Sequence, residues 1–249
     1  MNGETDVTGS DGPSNSSEWP SSGRALTVSV LVTLVVTAAS HLLPDDYANL
    51  AVATIFLGAT WWLVLRRDTA SVRAFGMSLG GWFESEPLER RRAVRALFGA
   101  LAWMTALGIL VFPVFILAFG KVWAPTRTFV WHLPRDWFDR LAGQVLVVAL
   151  PEEAFFRGYL QSALDARWRS RFRLFDADMG PGWLVSSAIF AVGHVMTVPD
   201  PARLAVFFPA LVFGWLRTRT GGIGAGIAFH AACNLLSTML AHGYGLGRH

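Results

Sequence analysis

Two adjacent carboxylates and an arginine lie inside an apolar stretch of this sequence. Glu152, Glu153 and Arg157 belong to "LPEEAFFRGYLQ" (150–161), which continues the apolar run "LAGQVLVVAL" (141–150) from their shared Leu150. A charged side chain in the middle of a membrane costs roughly 2.5–3.5 kcal/mol on insertion scales, and such side chains persist mainly where they are paired or line a functional cavity. The stretch therefore predicts a functional cluster within a membrane helix.

Helical spacing predicts different roles for the two carboxylates. Glu153 and Arg157 are four residues apart, with the glutamate on the N-terminal side, which is the favourable order for an ion pair. Glu152 lies ~100° away around the helix, so the arginine serves it less well. We expect Glu153 and Arg157 to neutralise each other and Glu152 to stay available as a base.

Two further apolar stretches carry polar side chains that suit hydrolysis. "SSAIFAVGHVMT" contains His194, with Phe190 one turn earlier, and "GIGAGIAFHAACNLL" contains His230 and Asn234 one turn apart on one face. A lone histidine at such depth often has a purely structural role, in which it hydrogen-bonds a neighbouring helix. Three stretches that together supply a base, two imidazoles and an amide have the composition of a hydrolase site.

The last of these stretches is also rich in small residues. Gly222 and Gly226 have the GxxxG spacing that allows helices to pack closely. Close packing would bring His230 and Asn234 near the other polar groups. Cys233 falls on a neighbouring face, and we interpret it as a small packing residue rather than a nucleophile.

The composition predicts the elements that must position these residues. Hydrophobic residues make up 53% of the chain and charged residues 16%, whereas soluble domains have about 25% charged residues. The apolar residues form blocks of membrane-spanning length, so we predict an all-α polytopic membrane bundle of about seven transmembrane helices. The predicted spans are 25–43, 48–65, 96–120, 141–163, 181–198, 202–217 and 221–242.

The remaining segments complete the predicted organisation. Residues 1–23 are polar and rich in Ser and Gly, which predicts a disordered tail before an integral membrane domain at 24–249. Segment 122–140 contains three tryptophans with Arg and Pro between them, so we expect it to lie along the membrane surface.

The distribution of charge predicts topology and excludes one class of partner. Arginines concentrate in the loops after the second, fourth and sixth spans, which predicts a cytoplasmic N-terminus and a C-terminus outside. The net charge of +3 is not gathered into a stripe with stacking aromatics, so nucleic acid is not an expected partner. The single cysteine excludes an internal disulfide and a CxxC metal site.

Three motifs resemble those of a known family. "EEAFFR", "FAVGH" and "HAACN" match, in order, the EExxxR, FxxxH and HxxxN motifs of the CPBP (Abi) intramembrane proteases. This family includes the eukaryotic CAAX-processing enzymes and bacterial relatives linked to bacteriocin self-protection. The resemblance covers roughly 141–238, and "LPEEAFFRGYLQ" also looks like the myxosortase-like branch, which processes C-terminal anchor segments.

The resemblance implies peptide-bond hydrolysis within the membrane, and we expect a glutamate-type intramembrane endopeptidase with no cofactor. Glu152 would activate water with His194, while His230 and Asn234 would stabilise the oxyanion or position the water. Three residues would support the site: Glu153, Arg157 and Phe190. The implied substrate is a membrane-embedded or lipid-anchored protein in the bilayer, and the implied location is the bacterial inner membrane.

Two alternatives stay open from the residues alone. The same glutamates, histidines and asparagine could bind zinc, although zinc sites usually show tight local spacing such as HExxH, which is absent here. Buried Glu, His and Arg also build proton relays, which would suit a proton-linked transporter. No inverted repeat of hydropathy supports that second alternative.

Overall fold

The computed structural model describes residues 19–131, 134–168 and 171–246, and these form the predicted all-α bundle. The helices are α1 (Ser22–Leu42), α2 (Asp45–Thr60), α3 (Thr69–Ala74), α4 (Arg90–Trp123), α5 (Trp137–Gly143), α6 (Leu150–Glu153), α7 (Ser162–Arg167), α8 (Pro181–Thr197), α9 (Phe207–Thr220) and α10 (Gly224–Gly243). Residues 61–65, 144–149 and 154–161 are π-helical, and residues 79–81 and 201–206 form short 3₁₀ helices. One short hairpin pairs β1 (Phe172–Leu174) with β2 (Ala177–Met179).

Each predicted span coincides with helical structure. Within the described residues, four helices are long and apolar enough to cross a membrane, at Ser22–Leu42, Tyr47–Leu65, Arg90–Trp123 and Gly224–Gly243. Helix α8 is apolar but shorter, and α9 has 14 residues, fewer than the ~20 that a perpendicular span needs. The bundle is therefore confirmed, and the count of seven spans stays a prediction.

The end of the predicted N-terminal tail is part of the fold. Residues 1–18 lie outside the described residues. The Trp19 ring packs 4.5 Å from the ring of Phe75, and α1 begins at Ser22, where the Ser21 hydroxyl accepts a hydrogen bond from the Arg24 amide. The folded domain thus begins a few residues before the predicted boundary at residue 24.

The predicted surface segment 122–140 is largely irregular where it is described. Its first residues still belong to α4, and α5 begins at Trp137. Between these helices the Val130 amide donates to the Gly243 carbonyl at 2.9 Å, and Arg127 donates to the Tyr244 carbonyl at 3.1 Å. The segment is thus fastened to the end of α10, and its place at the membrane surface stays a prediction.

One continuous helix, residues 137–167, runs through the middle of the bundle, and we call it the glutamate helix. Its α-helical parts α5, α6 and α7 are separated by the two π-helical stretches, so that π turns lie on both sides of Glu152 and Glu153. Pro151 lacks an amide hydrogen and cannot donate the usual backbone bond. π-Helical turns are rare and occur often at functional sites. All residues of 154–161 are buried.

Aromatic contacts hold the glutamate helix between α2 and α8. The ring of Phe56 in α2 lies 5.2 Å from Phe155 and 5.4 Å from Phe156. Phe156 in turn meets Phe190 of α8 edge-on at 5.1 Å. These apolar contacts position the glutamates next to α8, the helix that carries His194.

The hairpin after α7 is an element that the sequence did not predict. Its turn residues Phe175 and Asp176 both have positive φ, as a tight two-residue hairpin turn requires. The Trp215 indole of α9 donates to the Leu174 carbonyl at 3.0 Å and fastens the hairpin to the bundle.

A buried carboxylate fastens the start of α4 to the preceding loop. The side chain of Glu84 is only 1% exposed, and it accepts hydrogen bonds from Arg73 at 2.6 Å and Arg92 at 2.7 Å. Ser78 donates a further hydrogen bond to it. Hydrogen bonds from the two arginines hold the pKa of Glu84 well below its usual value.

Replacing this carboxylate should cost stability in a pH-dependent way. We expect Glu84→Gln to lower the thermal unfolding midpoint by a few degrees at neutral pH. Because the pKa of Glu84 is lower in the folded chain, its charge stabilises fully above the ordinary pKa of 4.5 and progressively less as the pH falls below that value. The difference from wild type should therefore shrink on acidification, as differential scanning fluorimetry in detergent would measure.

Glu86 offers a matched control. Its side chain is 57% exposed and bonds only Arg73 among the described residues. Glu86→Gln should change the midpoint little. If the difference in unfolding midpoint between Glu84→Gln and wild type stays constant from neutral pH to below the ordinary pKa of Glu84, its charge does not provide the stabilisation, and the assignment is contradicted.

Candidate active site

The carboxylate of Glu153 lies at the centre of the polar cluster. It is fully buried, and its Oε1 accepts a hydrogen bond from Arg157 Nη1 at 3.0 Å. The same oxygen lies 3.0 Å from Nδ1 of His230 on α10. The ion pair that helical spacing predicts between Glu153 and Arg157 is thus confirmed, and it has gained a histidine from another helix.

Arg157 extends the cluster to two more helices. It is also fully buried, and its Nη2 donates to the Ala210 carbonyl of α9 at 3.2 Å. The guanidinium carbon lies 4.3 Å from the ring centroid of Phe190 and 5.2 Å from that of Phe213. Cation–π contacts of this kind are strongest where the cation is desolvated. Arg157 therefore joins the glutamate helix to α8 and α9.

His230 lies between the two glutamates. Because a carboxylate only accepts hydrogen bonds, Nδ1 of His230 carries a proton and donates it to Glu153. Nε2, on the other side of the ring, faces Glu152. Nε2 is 3.7 Å from Glu152 Oε2, too long for a direct hydrogen bond. One water can hydrogen-bond two atoms at this separation. The His230 ring stacks on Phe213 at 4.7 Å, which limits its rotation.

Glu152 is the less engaged of the two carboxylates. Its side chain is 13% exposed, and among the described residues its Oε2 is buried without a hydrogen bond. No described hydrogen bond joins it to Arg157, as the helical geometry predicts. Glu152 therefore keeps an oxygen free to bind water.

His194 is oriented by its own helix. Its Nδ1 lies 3.0 Å from the Phe190 carbonyl, which can only accept, so Nδ1 carries the proton. In the neutral ring Nε2 is then an acceptor. The Phe190 ring lies 4.3 Å from the His194 ring and 6.0 Å from that of His230. Phe190 thus separates the two imidazoles and supports both.

Glycines allow α10 to approach the glutamate helix. A Cβ on Gly226 would lie 3.1 Å from Glu153 Oε2, closer than most Cβ contacts, and a Cβ on Gly222 would lie 3.5 Å from the Gly76 carbonyl oxygen. Gly226 therefore lets α10 approach the glutamate helix where His230 meets Glu153. Gly222 lies before α10, and its contact with the Gly76 carbonyl is an ordinary one, so only one of the two glycines of the GxxxG spacing serves this approach.

Asn234 makes a contact that the sequence analysis missed. Its Nδ2 donates to Oε1 of Gln144 at 2.9 Å, and no described hydrogen bond joins it to Glu152 or either histidine. Gln144 is an amide inside the predicted span 141–163, and an uncharged polar group at that depth was the signal that could have identified it. Cys233 packs among the apolar residues around Phe213, which agrees with a packing role.

An apolar groove runs beside the polar cluster, and we call it the lateral groove. Its volume is about 1320 Å³, and α4, α10 and the glutamate helix form its walls. Ala231, which lines it, directly follows His230, and Leu150, which also lines it, lies two residues before Glu152. Small side chains on α10, such as Ala228 and Ala232, leave this space open.

Helices long and apolar enough to cross a membrane surround a buried cluster of paired charges and imidazoles. Residues 134–236 match the family of type II CAAX prenyl endopeptidases that are Rce1-like. The match includes all three motifs and confirms the resemblance to CPBP intramembrane proteases, so the chain is an integral membrane endopeptidase. No curated protein and no solved structure matches the chain significantly.

Removing one partner of the buried pair should damage the fold more than removing both. We expect Arg157→Met to destabilise the protein by about 3–5 kcal/mol, because it leaves the Glu153 carboxylate buried without its cation. The double variant Glu153→Gln with Arg157→Met should be destabilised less. Unfolding midpoints in detergent measure the stability of each variant. If the loss in the double variant equals the sum of the losses in the two single variants, the pairing is contradicted.

Proposed function

We propose that this endopeptidase is of the glutamate type, with Glu152 and His194 activating water and His230 and Asn234 stabilising the oxyanion. One observation carries the proposal. Oε1 of Glu153 is engaged by Arg157 and His230, whereas no hydrogen bond from the described residues reaches the Glu152 side chain, whose Oε2 lies 3.7 Å from His230 Nε2. The Oε2 atoms of both glutamates are buried without a hydrogen bond, so the difference between them lies in Oε1 of Glu153. Two neighbouring carboxylates with different environments are suited to different roles.

The first step is the attack of water on the scissile carbonyl. Glu152 takes one proton of the water, and the water oxygen forms a bond to the carbonyl carbon, which gives a tetrahedral oxyanion. Nε2 of His194 accepts a hydrogen bond from the second hydrogen of the water, because Nδ1 carries the ring proton and donates it to the Phe190 carbonyl. Two acceptors fix the orientation of the water and raise its reactivity.

The oxyanion then needs hydrogen-bond donors. With Nδ1–H directed at Glu153, His230 turns Nε2 to the opposite side of the ring, and this nitrogen is the donor that we propose for the oxyanion when it carries a proton. The Asn234 amide is a second donor, one turn along α10. Loss of one such donor typically lowers the rate about 100- to 1000-fold.

The intermediate collapses when the carbon–nitrogen bond breaks. Glu152 returns its proton to the leaving nitrogen, which gives an amine and a carboxylic acid. The acid then passes its own proton to the amine, so a carboxylate and an ammonium group form and the enzyme is regenerated. The overall reaction adds one water across one peptide bond, and the protein supplies only acid–base and electrostatic catalysis.

The residue arrangement favours this mechanism over zinc catalysis. Oε1 of Glu153 and Nδ1 of His230 are directed at each other, and Arg157 shares the same oxygen. A guanidinium in contact with a carboxylate competes with a metal for its lone pairs. Within the described ranges, no group of three His, Cys, Asp or Glu side chains is arranged to hold a metal ion.

The lateral groove suits a substrate with an attached lipid. The groove is lined mostly by apolar side chains, and Leu150 and Ala231 belong to the two helices that carry Glu152 and His230. A lipid chain lying there would hold the adjoining peptide beside the site within the bilayer. We therefore propose a lipidated peptide as the substrate, with the lipid in the groove.

Glu152→Gln should abolish cleavage and leave the fold intact. Protein in detergent micelles would be incubated with a farnesylated peptide that ends in Cys-aliphatic-aliphatic-X, and mass spectrometry would detect the shortened peptide. We expect wild type to cleave and Glu152→Gln to lose at least about 100-fold in kcat with an unchanged unfolding midpoint. Turnover in micelles, where no gradient exists, also argues against a transporter.

Glu89→Gln serves as the matched control, because Glu89 is exposed at the start of α4. It should cleave at the wild-type rate. Retained cleavage by Glu152→Gln would refute the assignment of the base.

Filling the lateral groove should weaken substrate binding selectively. Ala228→Trp places a large side chain among the groove residues, and we expect KM for the farnesylated peptide to rise roughly tenfold, as for about 1.4 kcal/mol of lost apolar contact, with kcat nearly unchanged. Leu110→Trp is the control, because Leu110 is 71% exposed on α4 and does not line the groove. Equal KM values for the two variants would contradict the assignment of the groove.

A further inference from the structure

A hydrogen bond between two side-chain amides joins the glutamate helix to α10. Nδ2 of Asn234 donates to Oε1 of Gln144 at 2.9 Å, and the two residues are 90 positions apart in the chain. Both side chains are partly buried. Gln144 lies within the first π-helical stretch of the glutamate helix, eight residues before Glu152.

We propose that Gln144 is a positioning residue for the hydrolysis, which acts by fixing the amide of Asn234. This inference rests on the proposed function, in which Asn234 donates to the oxyanion. Gln144 itself touches neither the scissile bond nor the water.

The geometry of an amide explains why such a partner is needed. The last torsion of an asparagine side chain is broad, so the amide plane turns easily unless something holds it. The bond to Gln144 is the only hydrogen bond that the described residues provide for the Asn234 side chain. It uses one Nδ2 hydrogen and fixes the amide plane, and the second hydrogen stays available.

The location of this pair places the available donor next to the site. Asn234 lies one turn beyond His230 on the same face of α10, so the second Nδ2 hydrogen serves the same region as His230 Nε2. Val145 and Leu235, the residues next to Gln144 and Asn234, both line the lateral groove. Gln144 and Asn234 themselves do not line the groove, and they join the two helices on the face next to the one that lines it.

Two substitutions of Gln144 separate positioning from packing. Gln144→Met keeps the length of the side chain and removes the acceptor, so we expect kcat for the farnesylated peptide to fall about 10- to 100-fold with KM unchanged. Gln144→Glu keeps an acceptor oxygen and should stay within about threefold of wild type. Equal losses in the two variants would overturn the proposal.

A second buried glutamine on the same helix provides the structural control. Gln161 donates to the Gly214 carbonyl at 2.9 Å and to the Thr218 hydroxyl at 3.1 Å, away from Asn234. Gln161→Met should lower the unfolding midpoint and leave kcat per folded molecule unchanged. An equal kcat loss in Gln161→Met would mean that Gln144 acts through helix packing alone, which would also overturn the proposal.

A double-mutant cycle tests whether Gln144 acts through Asn234. In the Asn234→Leu background, Gln144→Met should change kcat by less than about twofold, because there is no amide left to position. A loss in the double variant equal to the product of the single losses would overturn the inference while leaving the proposed function in place. If wild type itself fails to cleave while folded, the proposed function fails and the positioning role fails with it.

Discussion

The buried carboxylate of Glu153 is the interaction on which the rest of the site depends. It binds Arg157 within its own helix and His230 from α10, and Arg157 reaches the Ala210 carbonyl of α9. A buried charge is tolerated only when its partners are close and well oriented. The helices must therefore pack closely around this carboxylate, and Gly226 allows α10 to do so.

The same interaction gives the two neighbouring glutamates different environments. Glu153 neutralises Arg157 and orients His230, so the neighbouring Glu152 has no structural partner to satisfy. His194 is oriented in a comparable way by the Phe190 carbonyl on its own helix. Each imidazole thus has one nitrogen held and one nitrogen available, as a site needs when it must direct water and bind a developing negative charge.

Much of this arrangement was predictable from local spacing. The pair of Glu153 and Arg157 followed from a separation of four residues, and one of the two predicted glycines, Gly226, allows the close approach of α10. Gln144 was not predicted, because an uncharged amide in an apolar run has no spacing rule that names its partner. The buried Glu84 and the hairpin at 172–179 were missed for the same reason, since their partners lie within 11 residues but meet through loop and turn geometry rather than a helical period.

The sequence by itself determined the helical membrane class, the three motifs and the division between the two glutamates, because these follow from composition and from the period of a helix. Only the tertiary structure decided that His230 contacts Glu153 through Nδ1, that Asn234 bonds Gln144, and that an apolar groove runs beside the site. Helical periodicity determines which side chains share a face, whereas contacts between helices depend on how side chains of different sizes pack.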